Sequence, residues 1–294
     1  MKHKIIDPHI HLFDLEKGQY QWLQTNNPPF WPDKHIIQKN FIEQDLKLND
    51  NFNLESIVHI EAGFDNESPI EEINFLRSTI SNTPFKAVSF LDMTLSNETF
   101  KLQLSKLQLQ SNNQLIGIRH IMEGTDNDLL FHENILTNLT LLAELNLIFE
   151  AQFEIHNLNA SKQLAKYTKS LPSLNIVINH CGFPTANKYQ QWQQAIDILS
   201  PFHNIHIKCS GWEMHNRQYK QLWLKQIINH LLSQFGENRI ILASNFPLCL
   251  FSKSYADLWQ SYYDLNLPNN IWQAISFDNA KDIYQLEAKP SITV

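Results

Sequence analysis

His9 and His11 stand two positions apart in the run Ile5-Ile-Asp-Pro-His-Ile-His11, and on an extended strand that spacing turns both imidazoles to one side. Two imidazoles so placed suit one first-row divalent ion. A polar strand end meeting water produces the same pattern, so the pair alone decides nothing. Similar groups close the other apolar runs of the chain: His59 and Glu61, Asp92, Arg119 and His120, Glu150 and Gln152, Asn179 and His180, Lys208 and Ser210, Ser244 and Asn245. Glu61 reads as a metal ligand, a general base or a solvated carboxylate. His180 reads as a catalytic histidine, a ligand or a core histidine bonded to backbone. Arg119 either clamps a substrate carboxylate bidentately or pairs with one of the chain's own acids. Tryptophans read as packing rather than a sugar platform, and His35, His132, His156, His203, His206, His215 and His230 as surface or packing.

These groups matter only if something brings them together. Eight short apolar, β-branched runs recur: Ile5 to His9, Ser56 to Glu61, Phe85 to Leu91, Leu115 to His120, Leu147 to Phe153, Leu174 to His180, Asn204 to Cys209 and Arg239 to Ser244. Helical periodicity fills the intervals near 67–81, 96–110, 130–145, 157–171, 187–200 and 216–235, and continues near 254–264, 268–276 and 279–285. Ser96 with Thr99, and Asn187, mark helix starts; Gly236 stands where a helix ends on a left-handed residue. Hydrophobic strands alternating with helices mean a parallel sheet covered by helices. Eight such units predict closure into a single-domain (β/α)8 TIM barrel spanning 1–294. The competing doubly wound sheet lacks a Gly-x-Gly-x-x-Gly after the first strand. In a barrel all eight strand ends face one side, so the polar residues above share one pocket. The long connection from Asp14 to Asn53, with Trp22, Pro28-Pro29 and Trp31, is expected to fold over the barrel mouth.

Composition narrows the partners. The 294 residues include 43% hydrophobic and 18% charged, a globular balance, with a net charge of −7 and no Lys/Arg cluster to hold nucleic acid. No run reaches membrane-spanning length and the first residues form no signal-peptide core, which predicts a cytoplasmic protein. Cys181, Cys209 and Cys249 lie far apart, without CxxC, and read as free thiols. The expected partner is a small-molecule substrate; self-association into a homo-oligomer is left open.

Nearly end to end, the chain resembles the amidohydrolase superfamily, in its amidohydrolase-2 branch, which holds sugar-lactone lactonases of the fuconolactonase type and related decarboxylases. The resemblance is carried by Ile6-Asp-Pro-His-Ile-His-Leu-Phe-Asp14 with Tyr20-Gln-Trp22-Leu, by Val58-His-Ile-Glu-Ala-Gly63, Gly117-Ile-Arg-His120, Asn179-His-Cys-Gly182 with Pro184, and Ile207-Lys-Cys-Ser-Gly211. Ala243-Ser-Asn-Phe-Pro247 with Ser254-Tyr255, and Asp278-Asn-Ala280 with Tyr284, complete it. It implies a metal-dependent hydrolase with metal ligands at His9, His11 and His180, one divalent ion, zinc first, or none, since some lactonases of this branch work without metal. The family's eighth-strand aspartate falls on Asn245, read as a branch trait, and Gln152 stands where a histidine ligand is common. An amide takes no proton near neutral pH and is a poor ligand beside a carboxylate, so a binuclear centre is not expected. The implied reaction opens a lactone or similar cyclic ester, with His180, Glu61 and Asn245 as catalytic residues and Arg119, His120, Gln152 and Trp22 binding substrate. The base is then Glu61 or His180. Two other readings stand beside it: a non-oxidative decarboxylase or lyase gripping a carboxylate with Arg119, and a barrel that has lost catalysis and binds small molecules.

Overall fold

Each of the eight apolar runs is a strand in the computed structural model, which describes residues 2–286; Met1 and 287–294, the ends of the expected domain, lie outside the described residues. The strands are β1 (His3–Ile10), β2 (Phe52–Ile60), β3 (Phe85–Phe90), β4 (Leu115–Ile121), β5 (Ile148–Gln152), β6 (Ile176–Ile178), β7 (Ile205–Cys209) and β8 (Ile240–Leu242). They pair in that order, every pair parallel. A bridge from Ile10 to Phe246 joins the last strand's exit to the first strand. There the His11 N–H donates to the Phe246 carbonyl at 2.6 Å and the Asn245 N–H to the His9 carbonyl at 2.9 Å. The seam of this (β/α)8 barrel therefore runs through three residues whose chemistry drew attention in the sequence.

β6 and β8 are shorter than their apolar runs. His180, Cys181, Phe183 and Asn245 take positive φ of 53°, 54°, 56° and 60°, which ends pairing and swings these residues out of the strand direction. Histidine and asparagine are among the few non-glycine residues that enter this region at all, at a cost of about 1–3 kcal/mol each.

The helices are α1 (Ile70–Thr79), α2 (Asn97–Ser111), α3 (Ile135–Glu144), α4 (Leu158–Ser170), α5 (Tyr189–Leu199), α6 (Gln221–Phe235), α7 (Tyr255–Tyr263), α8 (Asn269–Gln273) and α9 (Asn279–Ile283). Ser96 caps α2 by accepting from the Thr99 N–H. Asn187, expected to start the fifth helix, sits instead in a short turn, Ala186–Lys188, and Lys188 precedes α5 at the N-cap without a side-chain capping bond. The expected helix near 130 begins later, because Gly124–Phe131 is wound as a tighter 3-10 turn. Gly236 has the positive φ expected of it, 73°, but a ψ of 172°, so it ends α6 in an extended glycine conformation rather than the left-handed one.

The larger core lies between strands and helices. A second cluster draws Ile6, Val58, Ile60, Val88, Ile116, Ile148, Val177 and Ile241 together with Phe277, Ile283, Tyr284 and Leu286. Seven strands contribute to it, so the C-terminal helices plug the lumen opposite the polar strand ends. Between plug and site lies a buried ion pair: Lys208 Nζ donates to both Glu150 oxygens at 2.8 and 2.9 Å, the Tyr284 hydroxyl to the same carboxylate at 2.5 Å, and Asn179 Nδ2 also donates to it. Both charged side chains are fully buried, a situation that folding tolerates only when each is fully partnered.

The long connection after β1 covers the barrel mouth, as expected. It is held to the barrel by a bridge between Phe13 and Phe41 and internally by Lys34, whose ammonium donates to the carbonyls of Trp22, Gln24 and Asn27 at 2.9, 3.0 and 2.8 Å. Arg217, beyond β7, pairs with Asp33 of this segment at 2.8 Å and lies over the rings of Trp31 and Phe251. All three cysteines are free and buried. No helix among the described residues is long and apolar enough to cross a membrane.

Candidate active site

The carboxyl ends of the strands open into one cavity of about 780 Å³. His11, Glu61, Arg119, His120, Gln152, His180 and Asn245, contributed by six strands or their exits, line it together. Trp22, Pro28, Pro29 and Trp31 of the covering segment form a wall. Trp22 is fixed by its indole N–H, which donates to the Ala62 carbonyl at 2.7 Å, and by an edge-on contact with Trp31.

His9 does not line the cavity. It lies behind His11 and His180, with ring centroids 5.1 and 4.6 Å away, fully buried and with neither ring nitrogen hydrogen-bonded. An orphaned polar ring at such depth is costly and calls for a partner. His11 Nδ1 lies 2.8 Å from the Ile60 carbonyl; a carbonyl only accepts, so Nδ1 carries the proton and Nε2 keeps its lone pair. His180 Nδ1 pairs with the Ser210 hydroxyl at 2.9 Å. Burial pushes all three imidazoles well below the usual histidine range, and the Arg119 charge pushes the same way, joined by Lys208 at His9 and His180. They are neutral at pH 7, the form that donates a lone pair. Gly211 makes room for His180: a Cβ there, at φ +68°, would stand 2.4 Å from His180 Nδ1.

Arg119 is turned to the protein's own groups. Its Nε donates to Glu61 Oε1 at 2.9 Å, Nη2 to the Glu61 carbonyl at 2.7 Å, and Nη1 to Gln152 Oε1 at 2.6 Å. Of the two roles open to it in the sequence, the structure shows the pairing with an internal acid, which takes Nε and Nη2 and leaves one N–H on Nη1 beside the bond to Gln152. Gln152 in turn donates through Nε2 to Glu123 Oε1 at 2.7 Å, so this amide bridges two groups before it meets any ligand. Burial raises Glu61 to about 6 against the lowering pull of Arg119. His120 accepts from the Met93 N–H at 3.2 Å and packs edge-on against Phe90.

Asn245 is oriented from behind. Its Nδ2 donates to Glu213 Oε1 at 2.5 Å, and it also hydrogen-bonds the His11 ring. Glu213 is fully buried, its Oε2 has no partner, and burial raises it to about 7. Asp7 locks the other side of the seam, accepting from the Ser244 N–H at 3.0 Å and the His9 N–H at 3.3 Å. Sequence reasoning passed over Glu213, Glu123 and Ser210's role, and it placed His215, which lines the cavity, among the packing residues. The available signal for Glu213 was its place two residues beyond Gly211, at the exit of the seventh strand.

Residues 115–286, more than half of the chain, match the family model described as amidohydrolase, of the amidohydrolase-2 type. The chain belongs to the amidohydrolase family. It is an enzyme of that type. It is 26% identical to protein y4mH of Sinorhizobium fredii over 96% of this chain and 98% of that one. In fold it is similar to a Burkholderia multivorans amidohydrolase solved with bound zinc (TM-score 0.77, 15% identity, 96% and 99% of the two chains covered). It is similar also to a Pseudomonas putida protein named for 2-pyrone-4,6-dicarboxylic acid hydrolase (TM-score 0.68, 16% identity, 97% and 98% covered).

Three imidazoles, His9, His11 and His180, supply the neutral nitrogen donors that a first-row divalent ion takes. His9 is orphaned, His11 Nε2 is unprotonated, and all three imidazoles are neutral. Among the described residues no three His, Cys, Asp or Glu side chains already converge as a finished ligand set. The two amides standing at the strand-five and strand-eight positions, Gln152 and Asn245, are each bonded to a glutamate, so neither adds charge to the histidine group.

Proposed function

We propose that this amidohydrolase is a hydrolase that opens a lactone or similar cyclic ester. The observation that carries the reading is the shared cavity: a buried carboxylate raised to about 6, neutral imidazoles and a pinned amide meet in one partly closed space. Lactone hydrolysis needs a polarised carbonyl, a positioned water and a base.

Glu61 is the base in this reading. It faces the cavity, and near pH 7 it is ionised yet basic enough to accept a proton from water, which is where a general base works best. Arg119 holds it in place through Oε1. Asn245, its amide fixed by Glu213, holds the water or the carbonyl oxygen by hydrogen bonding and takes no proton. His9, His11 and His180 would hold one divalent ion, zinc first in view of the Burkholderia multivorans structure. Such an ion supplies carbonyl polarisation or a more acidic bound water. A carboxylated substrate finds four of the five Arg119 N–H groups engaged and so no open fork, which counts against the decarboxylase reading.

Metal analysis of chelator-free protein, joined to a pH-indicator screen of sugar lactones, tests this. Acid release from a lactone, abolished in Glu61→Gln, is the expected result. Carbon dioxide released from a carboxylated substrate, or no acid from any lactone, overturns it.

A further inference from the structure

Among the described residues lining the cavity, Arg119 is the only arginine or lysine, and all three of its guanidinium nitrogens are bonded to Glu61 or Gln152. Cations of the barrel floor and of the covering segment are engaged as well. Lys208 is bound to Glu150, Arg217 to Asp33, and Lys34 to three carbonyls. Against them the cavity presents three carboxyl groups: Glu61, Glu123 and Asp126.

The last two are held in place. Glu154 accepts from the Gly124 N–H at 3.0 Å and from Asn127 Nδ2 at 3.0 Å, which pins the turn carrying Glu123 and Asp126. Gln152 spans from Glu123 to Arg119, so a continuous hydrogen-bonded chain runs Glu123, Gln152, Arg119, Glu61 across the cavity wall. Because Gln152 uses its NH2 on Glu123 and its oxygen on Arg119, losing Glu123 would free that amide to turn and release one guanidinium nitrogen.

We propose that the cavity selects an uncharged cyclic ester bearing hydroxyl donors and rejects one carrying a carboxylate, with Glu123 the specificity-determining residue acting through Gln152. Hydroxyls donate to the Glu123 and Asp126 oxygens; a substrate carboxylate at that wall meets like charge, with a single N–H of Arg119 left to receive it. This rests on the hydrolase reading and adds to it the charge of the substrate.

The test pairs each neutral lactone with its C6-carboxylate counterpart, galactono- with galactaro-lactone and glucono- with glucaro-lactone. Turnover is read by pH indicator. Binding of the matching unhydrolysed lactams is read by calorimetry in parallel. The wild type is expected to favour the neutral member at least about tenfold in kcat/KM, about one charge contact's worth of discrimination. Glu123→Gln and Asp126→Asn, tested separately, each narrow that ratio about fivefold by lowering KM for the anionic member. Equal or better use of the anionic member by the wild type, or an unchanged ratio in both variants, overturns the inference and leaves the hydrolase reading standing. If no lactone turns over but the neutral lactam binds more tightly than the anionic one, the hydrolase reading falls and the charge selection stands.

Discussion

Asn245 Nδ2 donates to Glu213 Oε1 at 2.5 Å, and both groups are buried. Where an aspartate would have offered a carboxylate to the cavity, the carboxyl group stands one layer back, raised to about 7 by burial, and acts through an amide. Glu213 and Asn245 form a unit, and changing one alone creates a conflict.

Asn245→Asp places two carboxyl groups at that separation. They cannot both ionise, so the folded pair keeps a proton that the unfolded chain loses near the ordinary carboxylate range. With folded pKa raised above unfolded, the folded state binds more protons, and stability falls as pH rises. Melting temperature should drop little at pH 5 and clearly at pH 8, with Glu213→Gln in the same chain cancelling the difference. An equal drop at both pH values would show that charge is not the cause.

Glu61→Gln and His180→Ala should each lower kcat on the preferred lactone by about 10²–10⁴-fold, the range of a lost general base or polarising group. In the wild type the base must be ionised, so kcat/KM should fall as pH drops through about 6, following Glu61. The Glu61→Gln enzyme should lack this limb; finding it intact would assign the titration elsewhere.

Gly211→Ala drives a methyl group to 2.4 Å from His180 Nδ1 at a backbone φ of +68°. Strain of about 1–3 kcal/mol follows from the backbone alone, and the displaced imidazole should lose activity beyond what unfolding explains. Urea titration and kcat on the same preparation separate the two. Wild-type kcat would mean that His180 does not depend on this glycine.

Lys208→Met leaves Glu150 buried without its ammonium and should cost about 3–5 kcal/mol in chemical unfolding. Lys208→Met with Glu150→Leu removes both charges and should recover much of that. Failure of the double change to recover anything would locate the loss in packing rather than in the orphaned carboxylate.

The eight strands were legible because β-branched apolar runs have no other stable home in a chain of this length. Their ends were less so. Nothing in Asn179-His-Cys-Gly182 announces that His180 leaves the strand at positive φ, since that turn is imposed by closure against Ser210 and Gly211. The co-location of His11, Glu61, His180 and Asn245 followed from barrel geometry alone. The partner of Arg119 did not, because Glu61 lies 58 positions away and only coordinates show the two side chains meeting. Glu123 and Glu213 were invisible for a different reason. Each sits in an irregular stretch past a strand end, where periodicity carries no information, and each is bonded to an amide of the site, Glu123 from the cavity wall and Glu213 from behind it.

Tyr284 donates to Glu150 at the centre of the barrel, from a helix synthesised after all eight strands. A chain still leaving the ribosome therefore holds the Glu150–Lys208 pair beneath an uncorked lumen, open to water from below. Maturation of the catalytic floor waits for α9 and Tyr284 to dock, and lesions there are in effect lesions of the reaction chamber.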